Sequence, residues 1–176
     1  MYWKIVLSFI FLIVFISCDS QNQDINQNNN TDLHFSLKLS EEKSLSIKYE
    51  NQKLDFENEN SAFLFVFFTS YCKPCLAQIP HLNNLAKNYQ NKAQIIGVLL
   101  EELNEVELKD FVKKQKIAFP LAIGTNNYIL AKAVGGIDRI PSMILYDKNG
   151  KKLNHYQGMI AEEMLDIDIQ KAIDNV

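Results

Sequence analysis

Cysteine is scarce in this chain: three residues in 176, at Cys18, Cys72 and Cys75. An odd and small number excludes a disulfide-stapled scaffold. The ligand sets of a structural zinc site are also missing, because there is no second cysteine pair and His34, His81 and His155 are scattered without ligand spacing. The charge excess is small, with a formal net charge of -3, so nothing in the composition points to nucleic acid as a partner. No internal repeat is visible. The longest apolar run, Ile5 to Ile16, is interrupted only by Ser8 and falls short of the roughly 20 residues of a spanning helix. A chain of this length has room for one domain with a real core.

That apolar run is preceded by Lys4 and followed by Ser17, the layout of a secretory signal over residues 1–17. An uncleaved membrane anchor is the alternative. Phe15-Ile16-Ser17-Cys18 resembles the lipobox of bacterial lipoproteins, which implies lipidation of Cys18 and removal of the peptide before it. Phe15 departs from the usual leucine of that motif. Acyl chains hold a protein firmly, since each buried CH2 adds about 0.8 kcal/mol. Residues 18–32 continue as Ser, Gln, Asn and Asp with almost no apolar side chain. Such a segment cannot offset its ordering entropy, so it reads as a disordered linker with a typical span of roughly 20 Å. The expected place is the extracytoplasmic or periplasmic side of a membrane, where disulfides persist.

Residues 33–176 read as one α/β domain. Leu33 to Leu39 and Leu45 to Tyr49 alternate apolar and polar residues, as half-exposed strands do. Asn58-Glu59-Asn60 reads as a loop. Phe63-Leu64-Phe65-Val66-Phe67-Phe68 has no polar face and reads as a central strand buried on both sides. A helix is expected from Lys73 to Tyr89, opened by Pro74 and kinked at Pro80. Ile95 to Leu100 reads as a second buried strand, and Val106 to Lys116 as a helix. Strand, helix, strand, helix predicts βαβ units with a parallel centre. A short helix over Asn127 to Val134, a hairpin of Ser142 to Tyr146 and Lys151 to Tyr156 around Asn149-Gly150, and a helix over Ala161 to Ile173 complete the pattern.

Tyr71-Cys72-Lys73-Pro74-Cys75 therefore stands at a strand-to-helix junction. Partial positive charge at a helix N-terminus stabilises a thiolate and lowers a cysteine pKa below its free value of about 8.5. Cys72 is expected to be the exposed nucleophile and Cys75, one turn in, the buried resolving thiol. Lys73 adds local positive charge and Pro74 limits the loop's freedom. A CxxC pair in this position reads as a redox motif, with the dithiol/disulfide itself as the working group and no further cofactor or metal. The aromatic cluster at Phe63 to Phe68 reads as core, Glu101-Glu102 and Glu105-Glu107 as a solvated loop and helix start, and His81 as a surface residue.

Phe67-Phe68-Thr69-Ser70-Tyr71-Cys72-Lys73-Pro74-Cys75, with Pro80 beyond it, resembles the thioredoxin active-site segment. Ile137-Asp138-Arg139-Ile140-Pro141-Ser142 resembles that family's second landmark. The resemblance covers residues 33–176 and is nearest to the membrane-tethered TlpA/ResA type, which Phe119-Pro120 and the anchored N-terminus favour. It implies a thioredoxin fold: a central mixed sheet flanked by helices, with extra N-terminal strands. It also implies a cis Pro141 packed against the cysteines, an Ile140 backbone that pairs with a bound substrate chain, and thiol–disulfide oxidoreductase activity. The partners implied are protein thiol or disulfide substrates, apocytochromes c among them, and a membrane electron-donor protein. A monomer is expected. Pro74 and Ile140 look more like reductants than strong oxidants. Tyr71 departs from the usual tryptophan, Val66 from a buried acid, and Gln78 from a glutamate, so acid–base aid is absent or comes from elsewhere. A thiol oxidase or isomerase, or a non-catalytic binding module with a structural disulfide, remain the alternative readings.

Overall fold

A strand with no polar side chain is stable only between two packed layers, and Phe63 to Phe68 occupies such a place. In the computed structural model, which describes residues 32–51, 53–57 and 60–174, it forms β4 (Ala62–Phe68), buried along its whole length. The expected signal, Cys18 and the linker up to Thr31 lie outside the described residues, as do Asn58 and Glu59 of the expected loop.

β4 pairs in parallel with β5 (Ala93–Leu99) and antiparallel with β7 (Ser142–Tyr146). The sheet extends beyond β5 through β6 (Leu121–Ile123), β1 (Leu33–Leu39), β2 (Ser44–Glu50) and β3 (Lys53–Phe56). Beyond β7 it ends at β8 (Lys152–Gln157), giving the order β3-β2-β1-β6-β5-β4-β7-β8. Only the β4–β5–β6 centre is parallel, and two helices make its crossovers: α1 (Lys73–Asn88) and α2 (Glu105–Gln115). α3 (Asn126–Ala133) and α4 (Glu162–Asp174) complete the described elements. This is the mixed, helix-flanked sheet with extra N-terminal strands that the resemblance implies.

The pleat sends alternate side chains of β4 to opposite faces. Leu64, Val66 and Phe68 join Cys75, Ile79, Leu82 and Leu85 of α1 and Leu165 and Ile169 of α4 in one core. Phe63, Phe65 and Phe67 enter a second core with residues of β1 to β3 and Leu130 and Ala131 of α3. There the Phe63 ring stacks on Phe65 at 5.8 Å and meets Phe56 in a tilted pair at 4.1 Å, centroid to centroid. Each such side chain contributes about 1.5–3 kcal/mol on burial, so β4 pins both layers.

The extended helices and long strands fall within a residue or two of their sequence-based bounds. No pattern in the sequence predicts β3 or β6. Each is three or four residues long, too short for a periodicity to register, and forms because neighbouring strands offer unpaired edges. Pro80 lies inside α1 and does not end it. α2 begins with a reciprocal cap: Asn104 Oδ1 accepts from the Val106 and Glu107 N–H groups at 3.0 Å, and Glu107 Oε2 accepts from the Asn104 N–H at 2.9 Å. Glu105 and Glu107 thus serve the helix start, as expected.

The β7–β8 turn is built on Asp147, whose Oδ1 accepts from the Asn149 and Lys151 N–H groups at 2.9 Å each. Gly150 has φ +71°, and its carbonyl accepts from the Leu54 N–H at 3.2 Å. A Cβ at Gly150 would sit 1.7 Å from the Leu54 carbonyl oxygen. Gly150→Ala is therefore expected to cost roughly 1–3 kcal/mol from backbone strain, read as a lowered urea midpoint, with a wild-type midpoint refuting this packing. Asn104→Ala is expected to cost about 1 kcal/mol by the same measurement, from loss of the α2 cap.

Candidate active site at the β4–α1 junction

Where β4 runs out at Phe68, the chain turns through Thr69, Ser70 and Tyr71 and enters α1 at Cys72. The turn is closed by the Cys72 N–H donating to the Thr69 carbonyl at 3.3 Å. Cys72 is the N-cap of α1, in an extended conformation with φ -78° and ψ 99°. Its Sγ accepts from the Cys75 N–H at 3.3 Å, the role an oxygen plays in an ordinary cap. Pro74 lies in the first turn, where no N–H is needed. The two sulfurs are joined as a disulfide, S–S 2.00 Å, with the Cα atoms 5.2 Å apart.

Cys72 is not the open thiol that the sequence reading expects. It is 9% exposed against 3% for Cys75, because its sulfur is engaged both in the disulfide and at the helix start. The ranking has the expected sign, and the side chains beside it are open: Lys73 and Pro74 are exposed, and Tyr71 is 74% exposed.

The Ile140–Pro141 bond is cis. Register brings it to the cysteines: Ser142, the next residue, pairs with Phe67 near the end of β4. Ile140 packs against the same core that holds Cys72 and Cys75. The Pro141 carbonyl accepts from the Gly158 N–H at 2.8 Å, which ties it to the segment between β8 and α4. Behind it, Ser142 Oγ and His155 Nε2 share a hydrogen bond of 2.7 Å. Burial and the neighbouring Lys152 hold the His155 imidazole below its usual pKa, with Asp138 acting in the opposite sense.

The two departures at acidic positions have definite surroundings. Val66 is buried in the core with the cysteines. Gln78 is fully buried, and its amide clasps one residue: Nε2 donates to the Ile160 carbonyl at 2.9 Å, and Oε1 accepts from the Ile160 N–H at 3.0 Å. His81, read as a plain surface residue, is half-buried and bonds Glu162 Oε2 at 2.9 Å through Nδ1. Asn84 Nδ2 donates to the same oxygen at 3.1 Å, and these bonds hold the Glu162 carboxyl below its usual pKa.

The sequence points to a solvated loop at Glu101, and the structure corrects this. Its carboxylate accepts from Ser70 twice, from the backbone N–H at Oε1 and from the hydroxyl at Oε2. No spacing in the sequence signals that contact, which joins residues 31 apart through the parallel pairing of β4 and β5. Among the described residues, no group of three or more His, Cys, Asp or Glu side chains is arranged to hold a metal ion.

Comparison with known proteins gives a consistent picture. Over 123 residues the chain is 28% identical to the thiol-disulfide oxidoreductase ResA of Bacillus thuringiensis subsp. konkukian (strain 97-27), covering 69% of this chain and 70% of that one. Its fold is similar to StoA from Bacillus subtilis, with a TM-score of 0.62, 22% identity, and 78% of this chain and 97% of that one covered. It is likewise similar to a thioredoxin-family thiol:disulfide interchange protein from Chlorobium tepidum TLS, with a TM-score of 0.59 and 24% identity over 80% of this chain and 93% of that one. These likenesses show the thioredoxin fold. The AhpC/TSA family model matches residues 33–156, from the start of β1 through nearly all of β8, and on that match the chain belongs to the AhpC/TSA family.

Proposed function

We propose that this thiol–disulfide oxidoreductase acts as a reductant of protein disulfides on the extracytoplasmic side of a membrane, tethered there through a lipidated Cys18. The observation that carries the reading is the position of Cys72: it caps α1, with Cys75 buried one turn behind it and the cis Ile140–Pro141 bond at the same end of the sheet. In the dithiol form, Cys72 as thiolate attacks one sulfur of a substrate disulfide. A mixed disulfide forms, and the other substrate sulfur leaves as a thiolate that takes up a proton. Cys75 then loses its proton and attacks Cys72 Sγ. The second substrate thiol leaves, and the Cys72–Cys75 disulfide is the product. Two electrons and two protons from a membrane electron-donor protein restore the dithiol.

Around the pair, Tyr71, Lys73, Pro74, Ile140 and Pro141 form the face that meets a substrate chain. Tyr71 offers a large open aromatic surface, Lys73 a cation next in sequence to Cys72, and Ile140 a backbone position in the cis bond at the same end of the sheet. A peptide with an extended segment around its cysteine fits such a face by strand-like pairing. Apocytochromes c, whose paired cysteines must be reduced before haem attachment, are the substrate class suggested by the likeness to the tethered TlpA/ResA type. The buried, uncharged surroundings at Val66 and Gln78 favour one competing reading, a stable structural disulfide in a binding module. That reading requires a reduction potential below about -300 mV.

Three outcomes are expected. Cys72→Ser abolishes insulin reduction with dithiothreitol, and full activity in that variant would sink the reductase reading. Cys75→Ala accumulates mixed disulfides on Cys72, and mass spectrometry of the trapped partners identifies the substrates. If apocytochrome c peptides never appear among them, the cytochrome role is removed. Cys18→Ser shifts the protein from the membrane to the soluble fraction, and unchanged membrane association refutes the lipid tether.

A further inference from the structure

The loop that carries Cys72 is held from outside by a single acidic side chain. The Ser70 N–H donates to Glu101 Oε1, and the Ser70 hydroxyl donates to Glu101 Oε2 at 3.1 Å. The sheet dictates this contact. Phe68 and Leu99 are paired in register, and the Leu100 N–H donates to the Phe68 carbonyl at 3.0 Å. The residues after each strand end therefore lie side by side, and Glu101 faces the loop as Ser70 leaves β4. The carboxylate is part-buried, so solvent screens it less than an open surface charge.

Ser70 precedes Cys72 by two residues, a reach of at most about 7 Å between Cα atoms. A charge on Glu101 and a charge on Cys72 thus lie at most about 14 Å apart, a separation comparable with the Debye length of about 10 Å at 0.1 M salt. Other charges near this end of the sheet are Lys73 beside Cys72, and Asp138 and Arg139, adjacent and opposite in sign, on the approach to Pro141. Val66 and Gln78 bring none. Of these charges, the Glu101 carboxylate is the one hydrogen-bonded to the β4–α1 loop among the described residues.

We infer that Glu101 is a positioning residue that also biases the cysteine pair toward reduction of its substrates: it fixes the Ser70–Tyr71–Cys72 loop, and its charge disfavours the Cys72 thiolate relative to the uncharged disulfide. The balance is simple. Reducing the disulfide adds two electrons and two protons, and wherever Cys72 then ionises, a negative charge appears near the Glu101 carboxylate. The disulfide carries no charge and is not penalised. A pair whose oxidised form is favoured gives up electrons more readily. The inference rests on the reading that Cys72 is the attacking thiol.

The test uses the full-length protein in detergent, with Glu101→Gln as the main variant. Glutamine is isosteric, its oxygen can accept from the Ser70 N–H, and its amide can donate to Ser70 Oγ, so the loop keeps its ties while the charge is lost. The Cys72 thiol is titrated by the pH dependence of iodoacetamide alkylation, and the potential is measured by equilibration with a dithiothreitol couple. Glu101→Gln is expected to lower the Cys72 pKa by about one unit, a tenfold gain in thiolate below the pKa. The potential becomes less negative by up to the tenfold equivalent, about 30 mV. Both differences from wild type shrink in 1 M salt, where the Debye length is about 3 Å. Ser70→Ala keeps the charge and removes one tie, so it moves the pKa less than Glu101→Gln does. An unchanged pKa and potential in folded Glu101→Gln overturns the inference, and so does a shift of opposite sign. Because alkylation needs no substrate, this result is independent of the insulin assay. Inactive wild type removes the reductase reading, while an unmoved Cys72 pKa removes the role of Glu101.

Discussion

The structure hangs on a strand that can face water on neither side. Six consecutive apolar residues, Phe63 to Phe68, force β4 into the middle of the sheet, and burial of alternate side chains in two separate cores makes it the shared wall of both layers. Everything functional is placed with respect to its C-terminal end. The chain leaves there through Thr69, reaches Cys72 within a turn, and starts a helix whose inner face, Cys75, Ile79, Leu82 and Leu85, packs back on the same strand. β5 in parallel and β7 antiparallel bring Glu101 from one side and Pro141 from the other to that same point. An end of a parallel strand opening into a helix N-terminus is also where partial positive charge gathers, so the topology supplies the electrostatics that a thiolate requires.

What the sequence made legible was local. The apolar run of β4 specified a central strand, the Asn149-Gly150 pair a hairpin turn, and Cys72 to Cys75 at a strand-to-helix junction a redox pair. The cis proline was anticipated through resemblance, not through any pattern in the residues themselves. Two strands escaped notice because β3 and β6 are fixed by the edges they join and carry little signal of their own. The polar contacts of the site escaped for a related reason. Gln78 and Ile160 are 82 residues apart, Glu101 and Ser70 31 apart, and only the sheet brings each pair together. Composition made Glu101 look solvated, since it opens a run rich in glutamate. In the folded chain the run divides: Glu105 and Glu107 serve the start of α2, and Glu101 serves the β4–α1 loop.

The positions of the missing acids show how differently two substitutions can act at one site. Val66 leaves the space beneath the cysteines apolar, continuous with the core formed by Leu64 and Phe68. Gln78 keeps a polar group there but spends both ends of it on backbone. The first has no group that can carry a proton. The second is a fastening between α1 and Ile160. The carboxylate that does reach the active loop comes from outside the core, where water can also reach it.

That fastening has a mechanical meaning. Gln78 sits on the cysteine helix, Ile160 on the segment leading to α4, and Gly158 of that same segment is bonded to the Pro141 carbonyl. The helix that bears the cysteines and the segment that bears the cis proline are therefore linked by a short strut of three hydrogen bonds. A carboxylate at position 78 could accept from the Ile160 N–H but could donate to its carbonyl only after taking up a proton. An amide does both at any pH. The link between these two segments thus passes through a group that neither gains nor loses charge, so a change in the charge of the cysteines leaves its hydrogen bonds intact.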